Sequence, residues 1–487
     1  MSVPQQGNPQ DYQSLRARSV VTHNVYETYT KKVVDASQPG GYTEVSGFGK
    51  LLSSEELYDF TSWKVHLTMG VNADTYHLVF PNYNGKYASA FRSGEEIAIS
   101  VGYPPTNGSY TAADLTQIII GRIDDVDYEF SKDGGEVIHI TGRNYAAPFL
   151  DNRVSKKYTN MTASQIVTEL VDLYGFGISA SINILADRKF NKTVVTRNSK
   201  SATILQKHDP TTALQLPPSI LNPTKNHGVG NTTTIIDNVL GHNDTAWKVL
   251  KDLALALADP KTGKEYKVYV DGKTIYFGPR QDELNPSVTI TYGQNMVELK
   301  LRETTQFLKT RVIMRQYVEK KSKSYDIIVP DDIGPDMLSD IDKQKYLNLR
   351  KRYGTRDLLV KDLRKFIQGN THLAKLTGLA RLRESARLTY TGSIIMPGIE
   401  TLGKEGTIKI LGVPDENGDP SRDFSYNVSK ELNALYYLES AEHNYDKDNG
   451  YTTEAGISTR RPDQTRKLTA SSTAVAAQSS TDLEATE

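Results

Sequence analysis

The sequence of 487 residues contains no cysteine and carries no net charge. Without cysteine the chain can form no disulfide, no thiolate nucleophile and no cysteine-ligated zinc site. Its 58 basic residues equal its 58 acidic ones, which argues against a dedicated nucleic-acid-binding protein, because such proteins usually carry a basic excess. No apolar run approaches the ~18 residues of a membrane span, and residues 1–13 lack the apolar core of a signal peptide. We therefore expect a soluble protein that is made in a cytoplasm.

Tryptophan is also scarce, with 2 Trp and 12 Phe against 28 Tyr. Tyrosine suits half-buried strands and interfaces, because its ring packs while its hydroxyl stays hydrated. At about 150 residues per domain, the length predicts about three domains.

Alternating apolar residues predict β-strands between residues 45 and 152. One predicted strand places four apolar side chains on the same face: Trp63, Val65, Leu67 and Met69. The run around Ile118–Ile120 is continuously apolar, which is typical of a strand covered on both faces. About six such strands separated by turns predict a closed barrel or a sandwich.

The apolar period becomes helical after residue 151. It predicts one helix that begins near Thr162 and a second over about 244–258, with Trp247 on its apolar stripe. The Asp-Gly turn at Gly272 then predicts a hairpin. Residues 153–286 therefore form a separate predicted α+β domain.

From Val288 the β character resumes, and it includes the alternating pair Val312 and Met314. Helical stretches at about 338–352 and 371–387 interrupt it, and the low-complexity end of the chain is expected to be disordered on its own. The predicted segments are an N-terminal arm (1–44), a first β domain (45–152), an α+β domain (153–286) with a long polar excursion (195–235), a second β domain (287–461) with a helical insertion (338–387), and a Ser/Thr/Ala-rich tail (462–487).

Two internal echoes suggest a duplication. The helix start at 162–170 resembles that at 245–253, and the turn at 131–135 resembles that at 446–450. Coincidence is the alternative, because amphipathic helix starts and Lys-Asp-Gly turns are common. A genuine duplication would give two similar β domains split by an α+β insertion, an architecture more typical of a scaffold than of an enzyme.

The motifs of common catalytic sites are absent from the sequence: neither His-Glu-x-x-His nor Gly-x-Ser-x-Gly occurs. The nearest histidine pair, His66 and His77, falls on strand positions expected to face solvent, which makes a poor metal site. The acidic stretches 95–96 and 124–127 are dense enough for paired-carboxylate chemistry. An acidic strand face is normally solvated or meets a basic partner, so we expect no enzyme activity, no metal and no cofactor.

Several stretches, taken in order, resemble the baseplate hub proteins of contractile-tail phages, of the late control D type. They are 118–125 with 134–144, the helix and hairpin of 245–280, the turn at 396–398, and 442–445 with 450–454. The resemblance covers about residues 45–460, and the stretches 195–235 and 315–370 depart from it. The motif positions on its turns and strands are Gly121, Asp124, Gly134, Gly135, Gly142, Arg143, Asn144, Trp247, Gly272, Gly398, His443, Gly450 and Glu454.

The resemblance implies a mixed β protein with an α+β insertion. Its two related tube-like antiparallel β-barrel domains would be separated by the α+β domain, with helical decoration of the second barrel. It further implies a structural, non-enzymatic hub: a homotrimer whose six β domains form a pseudo-sixfold ring. The ring would join the hexameric tail tube to the trimeric central spike.

The same resemblance implies contacts with baseplate wedge or other hub-proximal proteins. It implies no cofactor and no membrane contact, and DNA would only pass through the lumen. The implied location is the virion, in the tail baseplate, after assembly in the host cytoplasm. The acidic strand face of Asp125, Asp127 and Glu129 would suit subunit contacts.

Other functions stay open. A phage-derived contractile injection particle would use the same kind of hub. A tail-associated peptidoglycan hydrolase would need its active site within 153–285. A carbohydrate- or surface-binding β module would expose tryptophan, whereas Trp63 and Trp247 both lie on apolar stripes.

Overall fold

The structure is a computed structural model. It describes residues 17–34, 42–69, 72–104, 109–131, 135–154, 157–158, 163–175, 178–182, 193–196, 203–206, 239–240, 244–257, 266–280, 287–318, 323–335, 337–338, 340–360, 371–387, 390–412 and 435–459. Gly134, most of the excursion 195–235 and the tail 462–487 therefore lie outside the described residues.

The strands in the described ranges are β1 (Arg18–Val34), β2 (Tyr42–Leu57), β3 (Ser62–Thr68), β4 (Thr75–Pro81), β5 (Glu96–Gly102), β6 (Thr116–Ser131), β7 (Gly135–Asn144), β8 (Arg153–Val154), β9 (Lys157–Tyr158), β10 (Ser179–Ile182), β11 (Thr193–Thr196), β12 (Thr203–Gln206), β13 (Val239–Leu240), β14 (Asp244–Thr245), β15 (Tyr266–Asp271), β16 (Thr274–Pro279), β17 (Val288–Thr291), β18 (Glu298–Glu303), β19 (Arg311–Val318), β20 (Lys323–Val329), β21 (Asp357–Val360), β22 (Tyr390–Pro397), β23 (Thr407–Leu411), β24 (Leu435–Asp446) and β25 (Gly450–Thr459). The helices in the same ranges are α1 (Ala147–Asp151), α2 (Ala163–Tyr174), α3 (Ala246–Ala256), α4 (Asp340–Tyr353) and α5 (Thr371–Arg387).

One large sheet of thirteen strands dominates the structure. Its main order is β18-β22-β25-β24-β3-β4-β7-β6-β5-β1-β2, and β17 and β23 pair beside β24. Smaller three-stranded sheets have the orders β10-β16-β15 and β20-β19-β21. Most pairings in these sheets are antiparallel, so the prediction of a predominantly antiparallel β protein with few helices is confirmed.

The predicted alternation matches the buried face. Trp63, Val65 and Leu67 of β3 are between 0 and 3% exposed, because they face the main core, and Met69 directly after the strand is also buried. The continuous apolar run in β6 is covered on both sides, since Ile119 packs into the main core and Ile120 into the core of the α+β domain. Trp247 on α3 also packs into that second core.

Two sets of six strands follow the same spatial order. The first β unit reads β3-β4-β7-β6-β5-β1, and the second β unit reads β18-β22-β25-β24-β23-β17. If the six strands of each unit are numbered 1 to 6 along the chain, both units have the same spatial order, 2-3-6-5-4-1. The units differ at one pairing, since β1 is antiparallel to β5 while β17 is parallel to β23.

The residue register of the two units also agrees. Pro81 at the end of β4 lies opposite the second residue after Gly135, and Pro397 at the end of β22 lies opposite the second residue after Gly450. Each hairpin contains one β-bulge at the same distance from its turn, with Asp124 as the extra residue in β6 and Glu439 in β24. A shared bulge is a specific feature, because bulges tend to be kept within a family.

The two units are joined into one sheet by β3 and β24, which pair antiparallel from Thr68↔Ser440 to Ser62↔Asp446. Apolar residues of both units contribute to a single core, for example Leu78 and Ile394. The predicted separation of the β domains in sequence is therefore accompanied by direct contact in space.

Two parts of the chain differ from the sequence-based expectation. Residues 18–34 were expected within an arm, but they form β1, whose Val20 and Val21 are fully buried between neighbouring strands. The pair Val312 and Met314 was expected in the second β domain, but β19 lies in a separate sheet that packs on α5. Alternation predicts a strand and its buried face, but it does not specify which sheet the strand joins.

The α+β domain begins after β7. In it, α2 and α3 cover the sheet of β10, β15 and β16, and the Thr245 hydroxyl caps α3 by accepting a hydrogen bond from the Lys248 amide. The predicted hairpin turn lies at Gly272, where φ is +54°, a conformation that glycine adopts without steric cost. Among the described helices, none has the length and apolar character needed to cross a membrane.

Candidate functional site at the junction of the two β units

The candidate site is the seam where β3 meets β24. On its core side, the Trp63 ring stacks on Tyr445 with centroids 5.6 Å apart. On its polar side, Lys64 Nζ lies 2.7 Å from a Glu442 carboxylate oxygen. Burial opposes ionisation of Glu442, but hydrogen bonds from Lys64 and Asn444 hold its pKa below the ordinary value. The seam thus combines an aromatic contact on one face with an ion pair on the other.

A cleft of about 520 Å³ opens on the polar side of this seam. Residues of both units line it, including Lys64, His66, His77, Asp125, Arg143 and Glu442. His77 stacks on His139, with Nε2 and Nδ1 3.2 Å apart, and burial together with the neighbouring imidazole lowers the pKa of His77. The His139 Nε2 in turn lies 3.1 Å from Glu129.

Arg143 fixes the bulge of the first unit. Its guanidinium donates to both carboxylate oxygens of Asp124, at 2.7 and 3.0 Å, and also binds Asp151. These hydrogen bonds raise the pKa of Arg143. The bulge of the second unit has an analogous arrangement, since Glu439 accepts from the Ser458 hydroxyl and lies 3.2 Å from Arg280.

Two motif glycines are required by close backbone approaches. A Cβ at Gly121 would collide with the Arg143 carbonyl. A Cβ at Gly142 would collide with the Arg122 carbonyl and with the Tyr76 hydroxyl. That hydroxyl is buried without a hydrogen-bond partner among the described residues, and burial raises its pKa well above the ordinary value. The glycines therefore allow β6, β7 and the Tyr76 ring to pack together.

A buried ion pair connects three parts of the chain. Asp74, in the turn between β3 and β4, pairs with Lys404 of the second unit, and both side chains are less than a tenth exposed. Asp74 also accepts hydrogen bonds from Asn144 and from the Thr68 amide, while Lys404 donates to the Val270 carbonyl of the α+β domain. Burial raises the pKa of Asp74 and outweighs the opposing effect of Lys404.

A second buried carboxylate ties the α+β hairpin to the first unit. Glu96 is fully buried, and Lys273 in the hairpin turn reaches it at 2.6 Å. Its other donors are the hydroxyls of Tyr26 and Tyr145 and the side-chain amide of Asn24. The acidic stretch 95–96 was a weak candidate for paired-carboxylate chemistry, and the structure instead makes Glu96 an internal anchor.

His443 anchors the second unit. It is fully buried, and its Nε2 lies 2.9 Å from the Leu402 carbonyl while its Nδ1 lies 2.7 Å from the Tyr451 hydroxyl. Since a carbonyl only accepts, the proton resides on Nε2 and the tyrosine donates to Nδ1. Burial lowers the pKa of His443 to about 4, so the ring is neutral. Gly398 lies against the Tyr451 ring, where a Cβ would collide.

The remaining predicted positions fall on turns and on one strand face. Gly135 and Gly450 have φ values of +78° and +89°, as the hairpin turns require. Asp125, Asp127 and Glu129 share the polar face of β6 and are exposed, and the partly buried Glu454 lies opposite Glu442 across the second hairpin. In the described part of the chain, no group of three His, Asp or Glu residues could hold a metal ion.

Sequence reasoning singled out the glycines and the acidic face, and it did not single out Asp74, Lys404 or Lys273 as anchors. Their partners are far away along the chain, and a lysine in a turn is normally solvated. The only local signal was a charged residue, Glu96, at the start of an otherwise apolar strand.

Comparisons with known proteins give structural likenesses only. No protein-family model matches the sequence, and no curated protein matches it. Among solved structures, the chain is similar to a tail protein from Neisseria meningitidis MC58, at 12% identity over 91% of this chain and 97% of that one, with a TM-score of 0.49. It is also similar to the 43 kDa tail protein of prophage MuSo2 from Shewanella oneidensis, at 12% identity over 92% and 99% of the two chains, with a TM-score of 0.49.

A third similar structure is an E. coli component of the type VI secretion system, at 9% identity over 84% of this chain and 76% of that one, with a TM-score of 0.40. That protein is described as structurally similar to bacteriophage T4 tail proteins. With TM-scores below 0.5, these likenesses carry no argument about function by themselves.

Proposed function

We propose that this protein is a structural hub of a contractile tail, either in a phage baseplate or in a related injection particle. The observation that supports the proposal is the repeated six-stranded unit, whose strand order, hairpin register and bulge position agree. Under this proposal the two units are the related tube-like barrels, and 153–286 is the domain between them. Two of the four stretches that resemble such hubs, 118–125 with 134–144 and 442–445 with 450–454, fall on these two hairpins.

The symmetry of the proposed partners would explain why the six-stranded unit occurs twice in the chain. Three chains with two similar units each would form a ring of six similar units, which matches a hexameric tube without a symmetry gap. The threefold symmetry of the chains would at the same time match a trimeric spike. Tube, spike and neighbouring baseplate proteins are therefore the proposed partners, and the virion is the proposed location.

The contacts at the seam support a rigid role. The two units share one sheet and are bridged by the Lys404–Asp74 pair. The α+β hairpin is tied to the first unit through the Lys273–Glu96 pair and to the second through the hydrogen bond from Lys404 to the Val270 carbonyl. Breaking one partner of a buried ion pair typically costs about 3–5 kcal/mol, which makes such pairs effective at fixing one arrangement. A fixed angle between the units is what an adaptor ring needs. We propose no catalytic step.

The first test is the solution mass of the purified protein by native mass spectrometry. Three times the chain mass of 54.2 kDa is the expected result. A strict monomer at high concentration, both alone and with a candidate spike protein, would contradict the proposal. A peptidoglycan turbidity assay then separates the hub from a tail-associated hydrolase, and we expect no clearing.

A further inference from the structure

The two β units differ in what lies beside equivalent strands. In the second unit, the 440–446 half of β24 pairs with β25 on one side and with β3 on the other. In the first unit, the equivalent 125–131 half of β6 pairs with β7, while β5 pairs only with 116–122. Among the described strands, none lies along the outer edge of 125–131, and β18, the equivalent of β3, has only β22 as a neighbour.

The exposure of equivalent residues follows this difference. Tyr445 is 9% exposed and His443 is fully buried, whereas their equivalents Phe130 and Tyr128 are 67% and 39% exposed. Large aromatic side chains on the core side of a sheet are normally covered. Their exposure at an unpaired edge marks this half of β6 as a surface that another strand can complete.

The seam inside the chain supplies a register for that missing strand. In it, Lys64 lies opposite Asn444, His66 opposite Glu442, and Trp63 opposite Tyr445. The equivalent of Lys64 is Lys300. Lys64 lies opposite His77 of β4, and Lys300 lies opposite Ser393 of β22. His77 and Ser393 correspond, because each lies four residues before the proline that ends its strand. Transferring the register places Lys300 opposite Glu129 and Arg302 opposite Asp127. It also places Leu299 opposite Phe130 and Leu301 opposite Tyr128.

Charge and polarity are complementary on both faces of this transferred pairing. The polar face would bring two basic residues of β18 against the two acidic residues of β6, and opposite charges in cross-strand pairs are favourable. The diagonal pair of Lys300 and Asp127 would reproduce the Lys64–Glu442 ion pair of the seam. The core face would bring two partly buried leucines against the two exposed aromatic rings. Among the described residues of the single chain, the ion pair of Lys300 is an exposed one with Glu298 at 3.0 Å, which contributes little to stability.

We infer that β18 of one copy pairs antiparallel with residues 125–131 of β6 in a second copy, in the register of the β3–β24 seam. The inference rests on the proposed function, since it supplies the contact between subunits of the hub ring. The contact is head-to-tail, because two different surfaces meet, and head-to-tail contacts form rings when the rotation closes. The acidic face of β6 is then a binding surface for β18 of the next copy.

Disulfide trapping tests the register directly, because the chain has no cysteine of its own. The double variant Glu129→Cys/Lys300→Cys should give covalent multimers on non-reducing gels. The matched control Asn444→Cys/Lys64→Cys probes the equivalent positions inside the chain, so it should lose its free thiols and stay at the mass of one chain. In the register-shifted pair Asp125→Cys/Lys300→Cys, residue 125 lies about 13 Å along the strand from the position opposite residue 300. This pair should not form multimers.

Charge reversal tests the contact without oxidation. Lys300→Glu/Arg302→Glu should weaken self-association about tenfold or more, because like charges then face each other. Adding Asp127→Lys/Glu129→Lys in the same chain should restore it. All four side chains are on the surface, so the far-UV circular dichroism spectrum of each variant should match that of the parent protein, which separates loss of the contact from loss of the fold.

The outcomes separate this inference from the proposed function. A trimer by native mass spectrometry without trapping at 129 and 300, and without an effect of charge reversal, overturns the inference and leaves the hub proposal standing. A strict monomer in which the seam control forms its disulfide normally counts against both. Trapping in equal amounts at the shifted pair would also overturn the inference, because it would indicate random collision.

Discussion

Asp124 and Glu439 occupy the same position in two hairpins, each as the extra residue of a β-bulge. Each carboxylate accepts a hydrogen bond from the partner strand of its hairpin. The donor is Arg143 for Asp124 and Ser458 for Glu439, and these two donors occupy the same position relative to the bulge. The acid is therefore retained in both units while its partner differs. Under the proposed duplication, the acid would be the shared feature of the two bulges and its partner the feature that differs.

The lysine in the α+β hairpin turn should matter more than a surface lysine. Lys273→Met leaves the fully buried Glu96 carboxylate without its cation, although three other donors remain. We expect a loss of about 2–3 kcal/mol in the free energy of unfolding, measured by urea denaturation. The control is Lys86→Met, whose partner Asp59 is exposed; it should leave the free energy of unfolding nearly unchanged. Equal effects of the two changes would contradict the anchoring role of Lys273.

The glycine at the crossing of β6 and β7 should not tolerate alanine. In Gly142→Ala, the added methyl group would collide with the Arg122 carbonyl and the Tyr76 hydroxyl. Forcing extra volume into a well-packed region costs about 1–3 kcal/mol, which a shift in melting temperature would report. Gly403→Ala is the matched control, because nothing lies within 4 Å of its added Cβ. A Gly142→Ala protein as stable as this control would show that the strands separate more easily than their packing indicates.

His443 should make stability depend on pH. Its pKa is lowered from 6.5 to about 4 in the folded chain, mainly by burial, so the unfolded chain binds a proton that the folded chain does not. This histidine therefore lowers stability as pH falls from about 6.5 to about 4, by about 3 kcal/mol in total, and has no such effect above that range. His443→Asn removes the titration. In urea titrations at several pH values, the variant should show a shallower loss over this window, and parallel curves would exclude the assignment.

The strands of the large sheet were accessible to sequence analysis where one face is apolar. Alternation located β3 with its buried Trp63, and the turn glycines located both hairpins. β1 was missed because its sequence mixes polar residues into both faces, and the buried Ser19 and His23 are held by hydrogen bonds. The spacing of apolar residues along a sequence predicts apolar burial, but it does not predict buried polar pairs.

The seam itself could not be predicted from the sequence. β3 and β24 lie near opposite ends of the chain, and no local pattern specifies which strand edges meet. The echo between the two hairpin turns was the available signal, and the strand order and the position of the bulges agree with it. The acidic face was visible, but its basic counterpart on β18 needed the register of the seam.

The insertion in the second unit gives the two ends of the sheet different symmetries. The hairpin turns at Gly135 and Gly450 lie at one end, and each chain presents two of them. The described residues between β18 and β22, which include the helices of the predicted insertion 338–387, leave the sheet at the opposite end, from which the α+β domain also leaves β7. In the proposed ring one rim would carry six nearly alike turns, whereas the other would carry three bulky bodies. Electron microscopy of an assembled tail would show which rim faces the tube. The rim with six similar turns could bind a hexamer in any of six rotations about the ring axis. The rim with threefold symmetry could bind a trimer in only three. In the proposed ring, the spike and not the tube would therefore set the rotation of the baseplate about this axis.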